Sequence, residues 1–235
     1  MMKAIFKKEM KSYFTSPLGY VILFVMFIFG GMFYFTAFSN GSADMTYVFN
    51  YMITIIFFVI PVITMRSFSE EKRQKTDQLL LTSPNSNGSM VMGKFLSALT
   101  FFNAFVVLMI IYNFVFYFFD GNPDLMILLG NIIGIELFAG SLIAIGIFIS
   151  SLTESQVVAA VGSFVVSFFL LMLTTISNMA NNEIVTKICN WISFSDRYYT
   201  FTDGVFNIAN FVFFLSIIAV FLFLTSRVID RKRWA

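Results

Sequence analysis

The sequence predicts an all-α, polytopic membrane protein. Its expected parts are six transmembrane helices, an N-terminal interfacial helix, a charged cytoplasmic helix between spans two and three, and an outer amphipathic segment before span six. Three observations predict this. Of 235 residues, 58% are hydrophobic, 33 are phenylalanine and only 12% are charged, which is too apolar for a soluble domain of this size. Six apolar runs reach the roughly 20 residues needed to cross a hydrocarbon core of about 30 Å. Threading the chain through those runs puts all but two of its 15 Lys and Arg on one side, the cytoplasmic one.

Residues 2–16 open the chain. Met2, Ile5, Phe6, Met10, Tyr13 and Phe14 share one helical face, and Lys3, Lys7, Lys8 and Lys11 lie mostly on the other. That spacing favours a basic helix lying on the membrane over a frayed leader that only sets topology. Ser16-Pro17 ends it.

The first span runs over about 18–38 and the second over about 47–65. Pro61, in the last turns of span two, removes a backbone donor and bends the helix toward the polar stretch that follows, as a flexible joint or a static kink.

That stretch, Arg66 to Lys94, is the long polar interruption in the first half of the chain. Ser67 and Glu70 fit a capping box, and Glu71 with Lys75 forms a favourable i,i+4 pair, so a helix is expected to begin here. Ser83-Pro84 and Asn87-Gly88 break it. Such a helix is either a solvated spacer or a docking element through which a soluble partner moves the adjoining spans.

Span three covers about 94–119 and span four about 125–149. Gly130 and Gly134 form a GxxxG pair that Gly140 continues, marking a face another helix can approach closely. Glu136 is the acidic residue well inside a span. A charge near the midplane costs a few kcal/mol, so this carboxyl is protonated, paired or facing a cavity, and serves either proton coupling and substrate contact or a helix–helix hydrogen bond. In span five, about 157–176, Ala159, Ser163 and Ser167 recur every four residues as a packing face.

Between Ser177 and Asn207, the aromatic residues Trp191, Phe194, Tyr198 and Phe201 recur at helical spacing. An outer amphipathic helix at the interface fits, as a simple anchor or near a substrate exit. Span six covers about 211–228 and ends in a basic cluster.

With no histidine and one cysteine, Cys189, the chain lacks a His-based metal site, a His general base and an internal disulfide. It has no GxxxxGK[ST] loop, so it is not expected to be an enzyme that hydrolyses ATP by itself. No metal site and no nucleic-acid partner is expected.

The order of these elements resembles the ABC-2 type transporter permeases over nearly the whole chain, and within them the gliding-motility-type subfamily. The matching residues are Phe68-Ser69-Glu70-Glu71-Lys72-Arg73, Leu79-Leu80-Leu81-Thr82-Ser83-Pro84, Gly93-Lys94-Phe95, Ser150-Ser151-Leu152-Thr153-Glu154, and the terminal Arg231-Lys232-Arg233-Trp234. The resemblance implies a single transmembrane domain, 1–235, in a bacterial cytoplasmic membrane with both termini inside. It implies pairing with a second copy or a related permease chain, contact with membrane lipids, and room for an extracytoplasmic accessory subunit. Most of all, it implies a separate cytoplasmic ATPase subunit, which holds ATP and Mg and binds the coupling helix through Glu70, Glu71, Lys72, Arg73, Thr76, Leu79 and Leu80. Movement there would tilt spans two and three and drive export. The rivals are an ATP-driven envelope-remodelling module that moves no solute and an ATP-independent channel or secondary transporter. This chain has Lys75 where such proteins usually carry Gly and Gln78 where they carry Glu. The missing Gly predicts a coupling helix that continues without the usual bend.

Overall fold

The computed structural model describes residues 2–39, 45–76, 87–118, 125–180, 182–202, 204 and 207–233, apart from the side chains at 45, 116, 117, 125, 232 and 233. The described residues are 92% helical, without strands. The helices are α1 (Met2–Thr15), α2 (Pro17–Ser39), α3 (Met45–Thr64), α4 (Ser69–Arg73), α5 (Asn87–Phe118), α6 (Leu125–Leu152), α7 (Gln156–Met179), α8 (Glu183–Ile192), α9 (Phe194–Thr202) and α10 (Ile208–Arg233). Six of them, α2, α3, α5, α6, α7 and α10, are long and apolar enough to cross a membrane.

Burial sorts the six. The apolar windows of α3 and α6 are 61% and 67% buried, whereas those of α2 and α10 are 22% buried. α6 touches α3, α5, α7, α9 and α10 and is the axis of the bundle. At its middle, Phe138 is fully buried and meets Phe57 of α3 edge-on at 5.1 Å, Tyr198 of α9 at 5.7 Å and Phe214 of α10 at 6.3 Å. Edge-to-face rings pack this junction, and its one hydroxyl, on Tyr198, donates to Asn131 Oδ1 of α6 at 3.3 Å.

α1 lies along α5. Ile5 sits against Gly93, where an added Cβ would be 3.2 Å from the Ile5 side chain, and Tyr13 stacks on Phe101 at 4.8 Å. Pro17 opens α2, a position where its missing N–H costs nothing. Pro61 is accommodated within α3, and the helix gives way to turns only after Thr64.

The outer segment differs from the single interfacial helix expected. It divides into α8 and α9, and the aromatic set divides with it. Trp191 on α8 is 69% exposed, but Phe194, Tyr198 and Phe201 on α9 are buried in the bundle. The physical reason lies on α6. At Gly130 an added Cβ would meet the Phe201 carbonyl oxygen at 2.5 Å, and at Gly134 it would meet the Phe201 Cβ at 2.8 Å. The GxxxG pair thus seats the outer segment rather than another span. Gly140, nearly two turns further, faces Ile218 of α10. On α7, Ala159, Ser163 and Ser167 form the buried face, and α7 packs on α3.

Candidate functional site

The segment after α3 folds against three other elements. Its expected capping box does not form: Phe68 occupies the N-cap of α4, with no side-chain cap from its own neighbours. The cap comes from α6 instead. The Ser150 hydroxyl accepts from Phe68 N at 3.0 Å and Ser69 N at 3.1 Å, and donates to Met65 O at 3.2 Å. Lys72 donates to the Ser151 carbonyl beside it. A buried helix start needs such partners, because its first N–H groups have none within the helix.

The charges of α4 also turn inward. Glu71 takes Lys8 of α1 at 2.8 Å and Lys94 of α5 at 2.9 Å, in place of the expected Lys75. Lys94 also reaches Glu9 at 2.7 Å and Ser67 O at 2.5 Å, and lies 4.9 Å from the Phe68 ring centroid. This ammonium is 1% exposed and has two carboxylates, a carbonyl and an aromatic face around it, so its burial is compensated. Arg66 grips Glu70 with two nitrogens, at 2.8 and 3.0 Å, and Ser16 at 2.8 Å. Burial would lower the Lys8 ammonium, but the hydrogen bond and charge of Glu71, with Glu9 and Glu70 nearby, hold it above its ordinary value. Burial pushes the Tyr13 phenol up.

α4 ends where the sequence predicts no bend. Lys75 adopts a left-handed φ of 56°, Lys75 N donates to Lys72 O, and Thr76 N donates to Glu71 O. This is a Schellman closure with lysine in the position that glycine usually fills. The bend therefore survives without the glycine, because the two carbonyls it satisfies belong to residues already pinned by α1, α5 and α6.

Of the residues assigned to coupling, Glu71 and Lys72 are thus buried in the fold, whereas Arg73 is exposed together with Gln74 and Lys75, and Glu70 and Thr76 are half-buried. Leu79 and Leu80 lie outside the described residues. A polar crevice of about 270 Å³ opens between α1 and α4, lined by Lys8, Glu9, Glu70, Glu71, Gln74 and Thr76 among others. Sequence reasoning missed Lys8, Glu9 and Ser150 as parts of this site. The pattern Gly93-Lys94-Phe95 did carry a signal: Gly93 admits α1, Lys94 holds the ion pairs, and Phe95 packs near Gly140 of α6.

Glu136 is separate from this cluster. It faces the amide of Asn103 of α5, and with that amide turned so that its nitrogen points at the carboxyl, Asn103 donates to both oxygens, Oε2 at 3.2 Å. The carboxyl therefore has an interhelical partner. Among the described residues, no group of His, Cys, Asp and Glu could hold a metal ion.

Residues 3–234 match the family model described as ABC-2 family transporter protein. Comparison with curated proteins finds no match.

Proposed function

The chain belongs to the ABC-2 family of transporter proteins, and from that premise we propose that it is the permease subunit of an ATP-driven exporter, of the gliding-motility type. It works in a bacterial cytoplasmic membrane with both termini inside, paired with a second copy or a related chain. ATP and Mg belong to a separate ATPase subunit, since this chain carries no phosphate-binding loop.

The observation that supports the reading is the construction of α4. A five-residue helix is too short to hold itself together in water, yet here it is fixed on three sides and presents its C-terminal tip outward. Arg73, Gln74 and Lys75 form that tip, with Glu70 and Lys8 flanking it. The ATPase docks on this mixed-charge surface, where rim charges set register and partner choice. The apolar composition of the spans favours an amphipathic or lipid-like cargo.

Gentle detergent extraction followed by copurification tests the reading. An ATPase should copurify, and Arg73→Glu with Lys75→Glu should release it while leaving the permease folded. Retention of the ATPase by that double variant would remove the tip as the docking surface, and a chain that emerges alone would remove the ABC reading itself.

A further inference from the structure

We infer that Ser150 is the joint through which the coupling segment drives the fourth span, so that α6 carries the stroke from the cytoplasmic side to the outer segment. This rests on the reading of α4 as the element that docks the ATPase. The stroke would then pass to a helix remote in sequence, besides the two spans that flank α4.

Three contacts support it. Ser150 is fully buried, and its one hydroxyl binds both Phe68 N and Ser69 N as well as Met65 O, so it spans the turn between α3 and α4. Lys72 fastens the next turn of α4 to Ser151 O. One turn deeper, Gly146 is so close to α3 that an added Cβ would run into the Thr64 side chain, its Cβ 2.8 Å away. α4 cannot slide past the end of α6 without giving up the Ser150 and Lys72 bonds together, while Gly146 and Thr64 hold the end of α3 to the same helix.

The far end of α6 is held as closely. Gly130 and Gly134 bring its backbone against Phe201 and Tyr198 of α9. Between the two contacts, from Gly130 to Ser150, α6 runs unbroken for about 30 Å at 1.5 Å per residue. An α-helix is stiff along its axis, so a displacement at Ser150 reaches α9 undiminished unless α6 bends. α3, joined to α4 by residues 65–68, meets α9 without a glycine of its own to seat it.

Spin labels test this in the assembled transporter. Cys189→Ser removes the native thiol, and Met126→Cys with Met179→Cys places labels at the outer ends of α6 and α7, both on exposed positions. Adding ATP and Mg to the complex should shift the label-to-label distance in the parent. Ser150→Ala should lose more than half of that shift while the ATPase still copurifies, because the ion pairs of Glu70 and Glu71 continue to hold α4. Ser150→Thr, which keeps the hydroxyl, should retain it. An unchanged shift in Ser150→Ala overturns the joint, as does equal loss in the Ala and Thr variants, which would mark a packing defect. If the parent retains no ATPase, the reading of α4 fails and the joint falls with it; if the ATPase is retained and the parent distance does not move, the joint alone falls.

Discussion

Glu71 and Lys94 lie 2.9 Å apart, on α4 and α5, so that residues from the two sides of the long polar stretch meet in one ion pair. The pair is not isolated, since Lys94 also holds Glu9 and Glu71 also holds Lys8. α1, α4 and the start of α5 therefore form one charged unit at one end of the bundle.

The two lysines on Glu71 should differ sharply. The Lys94 side chain is 1% exposed, and removing it leaves two carboxylates facing a buried site, so Lys94→Ala should cost about 3–5 kcal/mol. The Lys8 side chain is 60% exposed, and Lys8→Ala should cost less than about 1 kcal/mol. Thermal unfolding in detergent ranks them, and similar losses would show that burial does not govern the network.

Lys75 should be improvable. A non-glycine residue in the left-handed region carries roughly 1–2 kcal/mol of steric cost, and Lys75 sits there with φ 56°. Lys75→Gly should raise the melting temperature, and Lys75→Val should lower it. The same order of effects in the absence of ATPase would place the gain in the fold rather than in docking.

Two close approaches should respond differently to rescue. Gly146→Ala collides with the Thr64 side chain, so Thr64→Ala, which removes Oγ1 and Cγ2 but leaves Cβ 2.8 Å away, should recover part of the lost stability, and Thr64→Gly should relieve more of the clash. Gly130→Ala collides with the Phe201 carbonyl oxygen, a backbone atom that no substitution trims. It should displace α9 and remain unrescued by Phe201→Ala. Tryptophan fluorescence from Trp191 next to α9, together with yield, reads both.

Glu136 and Asn103 should behave as a hydrogen-bonded pair across two helices. A double-mutant cycle with Glu136→Ala and Asn103→Ala is expected to give a coupling of about 0.6 kcal/mol, up to roughly 1.7, as interhelical hydrogen bonds do in membranes. Glu136→Gln keeps a partner for Asn103 and should fold normally. No coupling in the cycle would return Glu136 to consideration as a substrate or proton site.

Much of this site was legible and some of it was not, for identifiable reasons. The charged block 70–73 announces a helix after span two, and the Gly130/Gly134 spacing announces a close approach. Neither says what is approached. Gly130 meets α9 rather than another span, because the helix that fills the gap is itself short and aromatic. Glu71 and Lys75 have the spacing of a pair, but α4 ends after Arg73 and Lys75 turns away into the left-handed bend. The Ser67–Glu70 capping box fails because Glu70 is taken by Arg66 and the N–H groups by Ser150.

By itself, the sequence determined the class of protein, the six apolar spans, the sidedness implied by Lys and Arg and the family resemblance, since each follows from composition or from period along the chain. Only the tertiary structure decided which polar groups meet. Phe68 finds Ser150 across 82 residues and Lys8 finds Glu71 across 63. Helical periodicity tells which face of a helix is apolar or charged, and a buried charge or unpaired N–H must find a partner. Which partner it finds depends on helix packing, and packing is a property of all the helices together.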